Sequence, residues 1–104
     1  MGAAMHIEGE LTIYRAAELR TNLLAALAGL AELPADAELQ IDLAGVSEMD
    51  SAGVQLLMAA QKSAQAARRK LRLVDPSAAV LEVFNTLDLA AHFEFTSTTT
   101  RAAA

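Results

Sequence analysis

Apolar and polar residues alternate from Glu38 to Leu43. Leu39, Ile41 and Leu43 share one face; Glu38, Gln40 and Asp42 share the other. This period of two predicts a strand buried on one side. Helical spacing replaces it elsewhere. Leu19, Leu23, Leu24 and Leu27 form a stripe, with Ala16 one turn earlier, in a helix expected from Ile13 to Ala28, with Thr12 as its cap and Gly29 at its end. Val54, Leu57, Met58 and Ala64, widened by Leu56 and Ala60, form a second stripe in a helix from Ser51 to about Arg69. Val80, Phe84 and Leu87, with Leu81 alongside, mark a third from Ser77 to Leu87, after the break at Asp75-Pro76. Short strands are expected at Met5–Glu10, turned by Gly9 and Glu10, at Lys70–Val74 and at His92–Phe95.

Strands and helices thus alternate. Helix-length crossovers favour parallel pairing. A strand covered on both faces would read as a continuous apolar run, and the 38–43 segment does not. The expectation is one α/β domain over residues 5–95, with a four-stranded mixed or parallel sheet and helices mainly on one face. Residues 96–104, from Thr96 to Ala104, read as a disordered tail.

Composition narrows the function classes. With 54% hydrophobic residues but only 4% aromatic, the core is expected to be aliphatic. A net charge of -5 argues against nucleic acid and anionic membrane as partners. The basic run Arg68-Arg69-Lys70 reads as the cationic end of the second helix. No cysteine is present, which removes disulfides and thiolate metal sites. No apolar run approaches the ~18–20 residues of a membrane span, and Met1–His6 lacks the pattern of a signal peptide. A cytoplasmic protein is expected.

The chemistry concentrates at Val46-Ser47-Glu48-Met49-Asp50-Ser51-Ala52-Gly53-Val54, where a strand pattern gives way to a helix. A hydroxyl there can cap the helix or carry a phosphate. Asp50 can cap by itself, which frees Ser51, and Gly53 offers a partner backbone close approach. Ser51 as a nucleophile would need a base and an oxyanion hole. The two histidines, His6 and His92, lie near the chain ends, and Asp-Ser-Ala-Gly is not the Gly-x-Ser-x-Gly elbow. His6 and His92 do not make a metal pair by spacing, and no phosphate-cradling glycine loop occurs. No catalytic residue, metal or cofactor is expected.

These residues resemble a known family. Gly9-Glu10-Leu11, Ile41-Asp42-Leu43, the Val46–Val54 segment and Leu71–Ser77 leading to Val80-Leu81 and Leu87-Asp88-Leu89 are similar to the STAS domain of bacterial anti-sigma factor antagonists. The resemblance implies a non-enzymatic protein-binding module of signal transduction. It also implies that Ser51 is the phosphoacceptor, modified by a partner ATPase of the serine/histidine-kinase-like type. Gly9, Glu10, Thr12, Glu48, Asp50, Ser51, Ala52, Gly53 and Val54 would form the contact. Thr12 stands where many antagonists carry Asp, Ala52 replaces the second Ser of Asp-Ser-Ser-Gly, and the family's extra N-terminal strand is not evident. The Leu11–Leu19 segment is closer to small STAS proteins of chemosensory and two-component systems, with a response-regulator-linked partner. Similar stand-alone domains serve as cytoplasmic subunits of lipid-transport ABC complexes, where an ABC ATPase is the partner.

Overall fold

A computed structural model describes residues 2–87 and 95–96. Its elements are β1 (Gly2–Leu11), α1 (Ala16–Ala31), β2 (Glu38–Met49), α2 (Ser51–Ala66), β3 (Lys70–Val74), α3 (Ala78–Thr86) and β4 (Phe95–Thr96). The four strands form one sheet in the order β1-β2-β3-β4, and every neighbouring pair is parallel.

The 38–43 alternation is realised. Leu39, Ile41 and Leu43 are fully buried, while Glu38, Gln40 and Asp42 are half-buried. One core gathers these three residues with Leu71 and Leu73 of β3, Leu19 and Leu23 of α1, Leu57 of α2, and Val80 and Phe84 of α3. The helices therefore pack on one side of the sheet. The other side carries polar pairs: His6 Nδ1 lies 3.1 Å from Asp42 Oδ2, and Arg72 Nε lies 3.3 Å from Glu38 Oε1.

Several boundaries differ from the sequence expectation. β1 does not turn at Gly9 and Glu10. Gly9 takes φ +83° within the strand, where the β1–β2 register shifts, and the chain runs on to Leu11, which is fully buried. Glycine here supplies a bulge, not a turn. β2 likewise continues to Met49, through a register shift opposite Glu8, because Val46 still points into the core.

Thr12 does not cap α1. Its hydroxyl donates to Glu10 Oε1 at 3.1 Å, and its carbonyl accepts from Arg15 N–H at 3.0 Å. This turn delays the helix to Ala16, with Arg15 as a cap without a side-chain bond. The helix then passes Gly29, because Leu30 is fully buried and holds another turn in place. Leu24, expected in the core stripe, is about half exposed.

The basic run also acts differently. α2 ends at Ala66 and has no basic residue in its last turn, and Arg68 is left-handed at φ 60°. Arg69 reaches across to α1, donating to the carbonyls of Ala31, Leu33 and Pro34 at 3.4, 3.0 and 2.6 Å. It satisfies the last carbonyl of α1, that of Ala31, and two carbonyls of the loop beyond it.

α3 starts where expected, with Ser77 Oγ accepting from Val80 N–H at 3.3 Å as its cap, but it ends at Thr86. Of its expected stripe only Val80 and Phe84 are buried, while Leu87 and Leu81 are 48% and 42% exposed, because the helix stops before a further turn can carry Leu87 inward. Of the expected last strand, Phe95 lies in β4 and residues 92–94 lie outside the described residues. Thr96, expected in the tail, pairs with Val74; residues 97–104 lie outside the described residues. Among the described residues no helix is long and apolar enough to cross a membrane.

Candidate functional site

Asp50 and Ser51 divide two tasks. Asp50 is the cap of α2: its Oδ1 accepts from the N–H groups of Ala52 and Gly53 at 2.9 and 3.1 Å. Its second oxygen, Oδ2, accepts from Ile13 N–H at 3.1 Å. The Ile13 bond is the largest cause holding the Asp50 carboxyl below its ordinary value. Desolvation is the next largest effect and opposes it, and the Gly53 and Ala52 bonds act in the same sense as the Ile13 bond. Hydrogen bonds to the charged form favour it. Ser51 is consequently the first helical residue rather than the cap, and it is exposed. Its hydroxyl stands at the positive end of the α2 dipole.

Gly53 holds this junction closed. A Cβ at Gly53 would collide with the Leu11 carbonyl oxygen and lie 2.9 Å from Leu11 Cγ. The close approach expected for a partner backbone is therefore made by the chain's own β1. Asp50 N–H completes the contact with the Leu11 carbonyl at 3.4 Å. Gly53 and Val54 are buried, as is Thr12 at 6% exposure; these three shape the site from beneath.

The surface itself is made by other residues. Ser51 and Glu48 are exposed, and Gly9, Glu10, Asp50 and Ala52 are half-buried. Beside them stand Ile13 and Tyr14, 64% and 88% exposed. Sequence reasoning missed this apolar pair. The available signal was that Tyr14, the chain's single tyrosine, falls off the stripe that begins at Ala16. The Asp50–Ile13 bond ties the pair to the start of α2.

Arg15 was missed as well. It donates through Nη1 to the carbonyls of Glu8 and Glu10 and through Nη2 to Glu18 Oε2 at 3.5 Å. It thereby fixes the bulge at Gly9, where a Cβ would lie 3.0 Å from its guanidinium.

A groove of about 410 Å³ continues from Ala52 between α1 and α2, lined by Ala17, Leu24, Leu27, Leu56 and Ala59 among others. The site thus combines an exposed hydroxyl, an acidic edge of Glu10, Glu48 and Asp50, two exposed apolar side chains and an apolar groove. Exposed apolar area rimmed by polar groups is the anatomy of a protein contact. Of the histidines, His6 is engaged with Asp42 on the open face of the sheet, and His92 lies outside the described residues. Among the described residues no group of three or more His, Cys, Asp or Glu could hold a metal.

Comparison with known proteins agrees with this architecture. SpoIIAA, an anti-sigma factor antagonist solved in its unphosphorylated form, superposes with a TM-score of 0.71 at 20% identity, covering 99% of this chain and 86% of that one. A Thermotoga maritima protein assigned as an anti-sigma factor antagonist gives 0.72 at 18% identity, covering 91% and 76%. A segment amounting to 19% of SLC26A9 gives 0.62 at 21% identity, covering 94% of this chain. These likenesses show a shared fold. No match is found among curated protein sequences. The family model described as "Mlab, STAS domain" matches residues 2–95. That match runs from the first strand to the last, and the chain belongs to the STAS domain family.

Proposed function

We propose that this chain is a non-enzymatic, protein-binding regulatory module whose contact surface is switched by phosphorylation of Ser51. One observation carries the reading: Asp50 makes the helix cap, so the Ser51 hydroxyl is left exposed beside Ile13 and Tyr14. The fold shared with SpoIIAA, an anti-sigma factor antagonist, supports a regulatory role of the same kind. The partner is a cytoplasmic ATPase of the serine/histidine-kinase-like type, which modifies Ser51, or a protein linked to a response regulator in a chemosensory pathway. The unmodified form binds and the modified form is released.

The electrostatics give the switch its direction. A phosphoserine adds about -1.5 to -2 charges. The α2 dipole tolerates that charge, so the fold survives. The interface does not tolerate it, because Glu48 and Asp50 already make the edge acidic, and a desolvated dianion without a partner costs several kcal/mol. A loss of about 3 kcal/mol weakens binding more than a hundredfold.

A second reading is a constitutive cytoplasmic subunit of an ABC-type lipid transport complex, with an ABC ATPase as partner. The MlaB name of the family model, and the occurrence of this fold as a segment of the longer SLC26A9 chain, support it. Incubation with the candidate ATPase and labelled ATP separates the two. Label on the wild type and none on Ser51→Ala supports the switch. Stable association without label, unchanged in Ser51→Ala, supports the constitutive subunit.

A further inference from the structure

β1 is an outer strand of the sheet, and among the described residues it pairs only with β2. An outer strand offers unpaired backbone groups to another chain unless charge, proline or a bulge blunts it. Here the two halves of β1 differ. At Glu8 and Glu10 the carbonyls are taken by Arg15 and the strand bulges at Gly9. From Gly2 to Ile7 the strand has no Asp, Glu, Lys, Arg or Pro, and it pairs with β2 without a register shift as far as His6.

We propose that this half of β1 pairs antiparallel with β1 of a second copy, about a two-fold axis at Ala4. That register centres the added ladder on the uncharged half of the strand and suits a self-complementary interface. It sets Ala4 against Ala4, Ala3 against Met5, and Gly2 against His6. Ala3 and Met5 already pack partly buried against the core, so their new neighbours extend the apolar side of the sheet. On the open side, the His6 imidazole of the second copy falls over a hollow of about 290 Å³ lined by Gly2, Ala3, Ala4, Asp36, Glu38 and Gln40. Each His6 is held through Nδ1 by its own Asp42, which leaves Nε2 for the other copy. Only as an imidazolium does His6 donate from Nε2 as well as Nδ1; Asp36 and Glu38, the latter also paired with Arg72, line the hollow as carboxylate acceptors for that form. The two small residues facing this hollow, Gly2 and Ala4, leave room for the ring.

The test uses the full chain. Sedimentation equilibrium of the wild type should show a concentration-dependent dimer. Ala4 is exposed, so Ala4→Lys and Ala4→Glu should keep the wild-type circular dichroism and melting point. Each should associate about fivefold more weakly, because like charges directly opposite repel, and an equimolar mixture should recover the dimer. The chain has no cysteine, so Ala4→Cys places a single thiol at the axis, where paired Cα atoms lie about 4.5–5.5 Å apart and within disulfide reach. Under mild oxidation it should cross-link much faster than Tyr14→Cys, an exposed control. A wild type monomeric into the millimolar range would overturn the proposal. So would Ala4→Lys dimerising as wild type does, or Ala4→Cys linking no faster than the control.

Discussion

The Asp50 carboxylate joins the start of α2 to the β1–α1 turn by accepting from the backbone N–H of Ile13 at 3.1 Å, 37 residues away in sequence. The same side chain caps α2. Its folded carboxyl lies below the ordinary value of 3.8, chiefly because of the Ile13 bond. A depressed carboxyl contributes stability that is fully present above the unfolded value and is lost as pH falls through the folded one. Asp50→Asn should therefore melt below wild type at neutral pH, and the gap should narrow on acidification below 3.8. Thermal melts across that range check this. A gap constant with pH would remove the charge from the account.

Gly53 is required for a different reason. The Leu11 backbone fills the space where its side chain would stand. Gly53→Ala should push α2 away from β1 and cost about 1–3 kcal/mol, read by urea denaturation. It should also disturb the amide resonances of Leu11 and Ile13, which Ala52→Ser should leave nearly unchanged.

The core prediction rests on Ile41, fully buried at the centre of β2. Ile41→Val should cost about 0.5–1.5 kcal/mol. Ile41→Asp should unfold the domain, because an unpaired buried carboxylate costs more than the total stability of a domain this size can spare. Circular dichroism distinguishes the two outcomes.

The proposed contact surface predicts a separation of binding from stability. Ile13 and Tyr14 are largely exposed, so the double change to Ala should shift stability by no more than about 0.5 kcal/mol per site. If they anchor the partner, binding should fall by about 2 kcal/mol or more, as for aromatic anchors at interface centres. Calorimetric titration alongside thermal melts checks both halves.

What could be read in the sequence was set by local periodicity. Leu39, Ile41 and Leu43 announce a one-sided strand because side chains alternate whatever the rest of the fold does. Asp50 announces a cap because its partners lie two or three residues away. Arg15 announced nothing, and Arg69 announced only a cationic helix end that the structure does not form. Apart from the Arg15–Glu18 contact, their bonds go to backbone carbonyls, and those of Arg69 lie 35 to 38 residues distant, so no residue type marks the partner. Gly9 and Gly53 were legible as special positions, yet their reasons, a bulge and an internal contact with Leu11, depend on strands meeting in space. At the site, the Asp50–Ser51 pair could be read, whereas the exposure of Ile13 and Tyr14 follows from a helix that begins three residues later than its pattern suggests.

The central claim is that charge at Ser51 governs binding and not folding. Its most direct test takes the partner captured from the native cell by the wild-type chain, purifies it, and titrates it against wild type, Ser51→Ala and Ser51→Asp. Ser51 is exposed and is not the cap, so all three should melt within a few degrees of one another. Ser51→Ala should bind as wild type does, and Ser51→Asp should bind about a hundredfold more weakly. Equal affinities for all three would contradict the account and leave the constitutive subunit as the better reading.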